Sequence, residues 1–140
     1  MRNRSWPFWV LVIAILSGPW FGIVRHPQWN RVTLVPFHGS EDRPKDMAVN
    51  LLMFVPFGWS FAKSRGGRVT TLQAIGVAAL VSIAVEIPQL FYKLRDPSAT
   101  DVVMAMVGAA TGSLASQTFH RRDTRGAASR RQAGDGGSEQ

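Results

Sequence analysis

Apolar and polar residues follow one another along the chain in long blocks rather than at short periods. The four apolar blocks carry a single formal charge, Glu86, and comprise residues 6–24, 47–62, 70–92 and 102–119. A bilayer core needs about 20 apolar residues per helix, so the blocks predict four transmembrane helices, at about 6–24, 46–62, 70–92 and 101–119. The second block is short enough to need flanking residues or local thinning of the bilayer.

Composition agrees with this pattern. Hydrophobic residues make up 46% of the chain, yet the mean hydropathy is only +0.02, because strongly polar stretches separate the apolar blocks. We therefore expect an all-α protein, a four-transmembrane-helix bundle formed by residues 1–120, with a kink in the first helix at Gly18 and Pro19. From residue 121 to residue 140 the chain is basic and rich in Gly, Ser and Gln, which predicts a disordered tail.

The distribution of charge predicts the orientation of the bundle. With four spans, the N-terminus, the 63–69 loop and the tail share one side, which holds ten basic and three acidic residues; the other side holds six of each. Because Lys and Arg near short loops stay cytoplasmic, both termini should be cytoplasmic. The 25–45 loop is then outside, and its apolar centre lies on the membrane surface or plugs the top of the bundle.

Several function classes are disfavoured. The net charge of +7 suits anionic inner-leaflet lipid, whereas nucleic-acid binding would need aromatic residues among the basic ones of the tail. The absence of Cys excludes disulfides and thiol chemistry. His26 and His38 do not have the spacing of a metal motif, so we expect no metal and no other cofactor.

Polar side chains gather near the outer ends of the predicted helices. Asp46 and Asn50 lie four residues apart on helix two, and Glu86 and Gln89 lie on one side of helix three. Asp101 begins helix four. We expect these five residues, with Arg95 of the short connection above them, to line one outward-facing pocket, because an intramembrane carboxylate usually faces a bundle interior or a wet cavity.

Simpler structural roles exist for the same residues. Glu86 with Arg95 can form an ion pair that orients two helices, and Ser98-x-x-Asp101 matches a helix capping box. The remaining candidates are predicted to serve helix packing: Pro56, Gly58, Gly108 and Gly112.

Taken together, these motifs resemble the VanZ-like family, small bacterial membrane proteins named after a protein linked to teicoplanin resistance. The resemblance covers residues 46–115, and Ala105 and Ser98 depart from the pattern, where Asn and an acid are common. The residues that carry it are Asp46, Asn50, Phe54, Pro56, Gly58, Glu86, Gln89, Arg95, Asp101, Gly108 and Gly112.

The resemblance implies a multi-pass protein of the bacterial cytoplasmic membrane that acts at the outer envelope and affects glycopeptide susceptibility. The leading hypothesis is binding of an envelope or lipid-linked ligand in the outward pocket. The alternatives are an intramembrane enzyme, with Glu86 or Asp101 as general acid or base, and a structural subunit that docks on a membrane-protein partner.

Overall fold

The structure, a computed structural model, describes residues 5–17, 22–38, 44–65, 71–92 and 97–135. These form four α-helices and one short 3-10 helix, Trp29–Arg31. The prediction of an all-α chain with four helices is confirmed, and the largest differences in bounds concern the first and the last helix. The helices are α1 (Trp6–Ser17), α2 (Pro44–Ser64), α3 (Thr71–Gln89) and α4 (Ala99–Asp135).

Helix α1 is shorter than predicted. Its described residues run from Trp6 to Ser17. Residues 22–24 are not helical: Ile23 pairs with Tyr92 as an isolated β-bridge. The prediction of a helix to residue 24 is therefore wrong, and the predicted kink at Gly18 and Pro19 lies outside the described residues.

Helix α4 is longer than predicted and continues to Asp135. Residues 121–135 are thus helical where composition predicted disorder. The physical reason is that extending an existing helix avoids the costly nucleation step, and Ala, Arg and Gln in this stretch have high helix propensity. The predicted tail residues 136–140 lie outside the described part of the chain.

The helices run alternately up and down. Trp6 packs edge-on against Phe61 at a centroid distance of 5.8 Å, which places the start of α1 beside the end of α2. At the opposite end of the bundle, Gln89 of α3 donates to the carbonyl of Ser17, at 3.2 Å. Residues 17, 44, 89 and 99 therefore mark one end of the bundle, called the clasp end below.

Helices α2 and α4 approach most closely. A Cβ atom built on Gly112 would collide with the Val55 carbonyl oxygen and lie 2.8 Å from the Trp59 nitrogen. A Cβ on Gly58 would likewise collide with the Ala109 backbone. The predicted packing role of Gly58 and Gly112 is explained by this approach; Gly108 behaves in the same way against the Leu51 carbonyl. Pro56 lies within α2.

The interior of the bundle combines buried phenylalanines of α2, Phe54, Phe57 and Phe61, with many small side chains, and large apolar side chains cover much of the surface. On α3, Ala74 and Ala78 are fully buried, whereas Leu72 and Leu80 are 77% and 69% exposed. Buried serines occur on all four α-helices, including Ser17 of α1 and Ser113 of α4. In water this arrangement would leave large apolar surfaces uncovered, but in lipid it is the usual one, because small residues let helices approach while large ones face acyl chains.

Two helical stretches are long and apolar enough to cross a membrane: Thr71–Gln89 and Ala99–Thr124. Only 17% of the first is buried, which differs from the mostly buried core helix of a water-soluble protein. Helix α1 is apolar but has 12 residues. The described part of the chain thus has two helices of membrane-spanning length and composition.

Candidate ligand groove at the clasp end

Residues 22–38, called the clasp segment, hold the end of α3 and the start of α4 together. Gln28 N–H donates to the Leu90 carbonyl at 3.0 Å. Thr33 N–H donates to the Pro97 carbonyl at 3.0 Å, and the Thr33 carbonyl accepts from Ala99 N–H at 2.9 Å. These backbone bonds fix the position of a segment that has little regular secondary structure of its own.

The clasp segment contains one strained residue. Phe37 has a φ of 62°, which is unusual for a bulky side chain. Its N–H donates to Oγ1 of Thr100 at 2.9 Å, and Thr100 is fully buried in α4. The surrounding contacts therefore hold this conformation.

Glu86 joins α3 to α4. Its Oε2 accepts a hydrogen bond from Ser98 N–H at 3.3 Å, and Ser98 directly precedes the first residue of α4. A carboxylate is favourable at a helix N-terminus, where the backbone donors and the helix dipole point toward it. The half-buried position of Glu86 thus has a structural explanation independent of Arg95.

The start of α4 resembles a capping box with one member supplied by another helix. Ser98 Oγ accepts from Thr100 N–H at 3.1 Å, as an N-cap side chain should. In the usual box the N–H of the cap residue is bonded by a side chain three positions later. Here that N–H goes to Glu86. Serine at position 98 suits this arrangement, because its hydroxyl accepts from Thr100 N–H and its own N–H is bonded by Glu86.

The first backbone donors of α4 are all used within the protein. Ser98 N–H goes to Glu86, Ala99 N–H to the Thr33 carbonyl, Thr100 N–H to Ser98 Oγ and Asp101 N–H to the Ser98 carbonyl at 3.1 Å. A helix N-terminus binds anions through such donors. This one is already satisfied, so phosphate would have to displace protein contacts.

Gln89 was predicted to line the outward-facing pocket, and in the structure its side chain bonds helix α1. Its side chain is 3% exposed, and Nε2 donates to the last carbonyl of α1, that of Ser17. Its Oε1 is buried with no hydrogen-bond partner among the described residues. Gln89 therefore closes the end of α1.

The other predicted pocket residues that the structure describes lie near the clasp end. Asp46 and Asn50 are half-buried near the start of α2, and Asp101 is half-buried in the first turn of α4. The close packing of Leu51 with Gly108 and of Val55 with Gly112 sets α2 and α4 parallel, so Asp46 and Asn50 are nearly level with Asp101. Arg95 lies outside the described residues.

A groove of about 250 Å³ is present beside Glu86. Its walls come from α3, the start of α4 and the clasp segment, and Glu86 is the acidic residue among the lining residues that the structure describes. Asp46, Asn50, Gln89 and Asp101 are not part of these walls. The lining residues are Trp29, Val32, Leu34, Ile83, Glu86, Ile87, Leu90, Pro97, Ser98, Ala99 and Val102.

The groove is mostly apolar, and among the described residues that line it Glu86 supplies the carboxylate. The predicted polar pocket formed with Arg95 stays a prediction. Trp29, Val32 and Leu34 were not predicted as site residues, because only the long-range backbone pairing brings the clasp segment over α3 and α4. The sequence signal was present as an apolar cluster inside a polar loop, but it did not indicate which surface this cluster would cover.

The predicted absence of a metal site remains a prediction. His26 and His38 are exposed on the clasp segment. Within residues 5–17, 22–38, 44–65, 71–92 and 97–135, no three His, Cys, Asp or Glu side chains gather as metal ligands would.

Comparison with known proteins gives one positive result. A sequence model of the VanZ/LLP1 family matches residues 8–120. Searches of curated proteins and of solved structures each found no match to the chain. The matched range includes all of α2 and α3, the clasp segment and the start of α4, and it confirms the resemblance seen in the motifs. Because the match extends over most of the sequence, the chain belongs to the VanZ/LLP1 family.

Proposed function

We propose that this protein is a four-span protein of the bacterial cytoplasmic membrane that binds an envelope lipid or a lipid-linked ligand in the groove beside Glu86. The observation that carries the proposal is the groove itself, an apolar channel with one carboxylate in its wall. Ligand sites are usually apolar cavities with a few placed polar groups. An ionisable residue within an apolar span is by default a candidate functional group.

The proposed orientation places the clasp end outside the cell. It rests on the excess of basic residues at the N-terminus, in the 63–69 loop and in the tail. Exposed Lys63 and Arg65 at the end of α2 then face the cytoplasm. In this orientation the groove meets the outer leaflet, where envelope precursors and glycopeptide antibiotics are encountered. Binding there would alter envelope composition or drug access, and hence glycopeptide susceptibility.

Filling the groove tests this function. Val102→Trp places an indole in the groove, whereas Leu80→Trp adds the same side chain at an exposed position of α3 outside it. After purification from native membranes in mild detergent, we expect Val102→Trp to carry at least about tenfold less of one co-purifying lipid class than wild type does. The reason is that the indole takes the place of the lipid and removes its well-packed apolar contacts. Leu80→Trp should retain that class.

Cells that express the two variants at equal levels provide a second measurement. Teicoplanin susceptibility should differ between wild type and Val102→Trp, and Leu80→Trp should behave as wild type. Identical lipid profiles for all three proteins, with helix content unchanged by circular dichroism, would contradict the proposal.

In the structural-subunit alternative Glu86 has no ligand, and its contact with Ser98 serves only the assembly of α3 and α4. This alternative predicts that groove-filling changes neither lipid content nor susceptibility. The enzyme alternative uses Glu86 or Asp101 as general acid or base, and paired carboxylates would need to reach the same ligand. Among the described residues Glu86 lines the groove and Asp101 does not, which favours binding over acid-base catalysis.

A further inference from the structure

We propose that the occupant of the groove is an amphiphile with a hydrocarbon chain and a primary amine, which enters sideways from the bilayer and places its ammonium group beside Glu86. This inference rests on the proposed function and adds the ligand class and the route of entry. Its evidence is the exposure of the groove walls, the used donors of α4 and the position of the single carboxylate.

The walls of the groove are continuous with the lipid-facing surface of the bundle. Ile83 and Ile87 line the groove and are 46% and 56% exposed on α3. They lie on the same helix as the exposed Leu80. A chain already dissolved in the bilayer can reach such a groove without crossing water, so the entry route is lateral.

The clasp segment supplies the opposite wall and suits the membrane interface. Trp29 and Leu34 line the groove and remain 69% and 79% exposed. Backbone bonds of Gln28 and Thr33 hold this wall against α3 and α4, so these side chains cannot turn into the bundle core. Tryptophan is favoured at the boundary between headgroups and acyl chains, where this wall would lie.

The polar chemistry of the groove selects the headgroup. The N-terminal donors of α4 are satisfied by Glu86, Thr33 and Ser98, so the anion-binding capacity of the helix end is already taken up. Among the described residues of the groove wall, Glu86 supplies the carboxylate, and an ammonium ion would join the contacts that Glu86 already makes. Charge-assisted hydrogen bonds are roughly twice as strong as neutral ones, so an amine is preferred over its neutral derivative.

Lipid retention in detergent tests the inference. Native mass spectrometry of the full chain would compare phosphatidylethanolamine with N-acetyl-phosphatidylethanolamine, which keeps the chains and phosphate but loses the ammonium. Wild type should retain the amine form at least about tenfold better. Glu86→Gln retains an acceptor for Ser98 N–H and removes the charge, so it should bind both lipids equally.

A parallel measurement with hexadecylamine identifies the source of the amine. Preference for phosphatidylethanolamine would assign a phospholipid, and preference for hexadecylamine would assign a long-chain alkylamine without phosphate; either supports the inference. Equal retention of amine and acetylated lipid by wild type, or an amine preference that persists in Glu86→Gln, would overturn it. If Val102→Trp still abolishes retention in that case, the proposed function survives and only the ligand class fails.

Discussion

Single residues in this bundle matter most where two helix backbones touch. Gly58, Gly108 and Gly112 leave no room for a side chain between α2 and α4. Gly76 of α3 and Gly126 of α4 have open space where a Cβ would lie. The same residue type therefore has opposite consequences at different positions.

Alanine substitution at Gly112 and Gly76 should separate these two cases. Gly112→Ala forces a methyl group into the Val55 carbonyl and should lower the free energy of unfolding by about 1–3 kcal/mol or more. Gly76→Ala should raise it by about 0.5–1 kcal/mol, because alanine restricts the unfolded chain more than glycine does. Unfolding in mixed detergent micelles, followed by circular dichroism, measures both. Similar effects for the two variants would contradict the close packing of α2 and α4.

Glu86 shows how far residue-level reasoning reaches. Its position within an apolar block was enough to single it out as a group that needs a partner. One partner in the structure is the backbone N–H of Ser98, which no side-chain motif identifies. Sequence patterns indicate which side chains need a hydrogen-bond partner. Which backbone donor at a helix start serves as that partner is known only once the helices are packed.

At the scale of elements, the clasp segment decides the geometry of the groove. It is mostly irregular, but it bridges to Tyr92 at the end of α3 and to Ser98 at the start of α4. Such pairings between segments distant in sequence cannot be read from local propensity. The apolar run inside the loop was compatible with both a surface position and a plug. The exposure of Leu34 and Val35 corresponds to the surface position.

Removing one backbone donor tests this attachment. Thr33→Pro eliminates the N–H bonded to the Pro97 carbonyl. Amide hydrogen exchange at Gln28 and Ala99, whose bonds flank this contact, should accelerate about tenfold, as the loss of one backbone bond implies. Val35→Ala changes an exposed side chain and keeps every backbone donor, so exchange at both amides should match wild type. Unchanged rates in Thr33→Pro would show that the segment is held elsewhere.

At the scale of the whole molecule, the distribution of side-chain size indicates the surrounding medium. Small residues fill the contacts between helices, while Leu72, Leu80 and Leu114 are exposed. Because lipid tails are as apolar as leucine, the hydrophobic effect does not drive these side chains inward, and close packing of small residues holds helices together instead. Membership of the VanZ/LLP1 family agrees with a membrane protein.

The proposed orientation is open to a direct test because the chain has no cysteine. His26→Cys lies on the clasp segment, and Lys63→Cys lies near the end of α2; both positions are exposed. A membrane-impermeant maleimide should label His26→Cys in spheroplasts and Lys63→Cys only after the membrane is opened. The reverse pattern would place the clasp end in the cytoplasm and would contradict an outer-leaflet ligand.

The sequence by itself determined the all-helical class, the family and the approximate positions of α2 and α3, because long apolar blocks and their motifs are local properties of the chain. It also identified the helix-packing glycines and the unusual position of Glu86. Tertiary structure decided which polar groups meet. Gln89 bonds the end of α1, Glu86 bonds the start of α4, and the clasp segment forms one wall of an apolar groove beside Glu86. These outcomes depend on contacts between residues far apart in sequence, and such contacts exist only after the helices have packed.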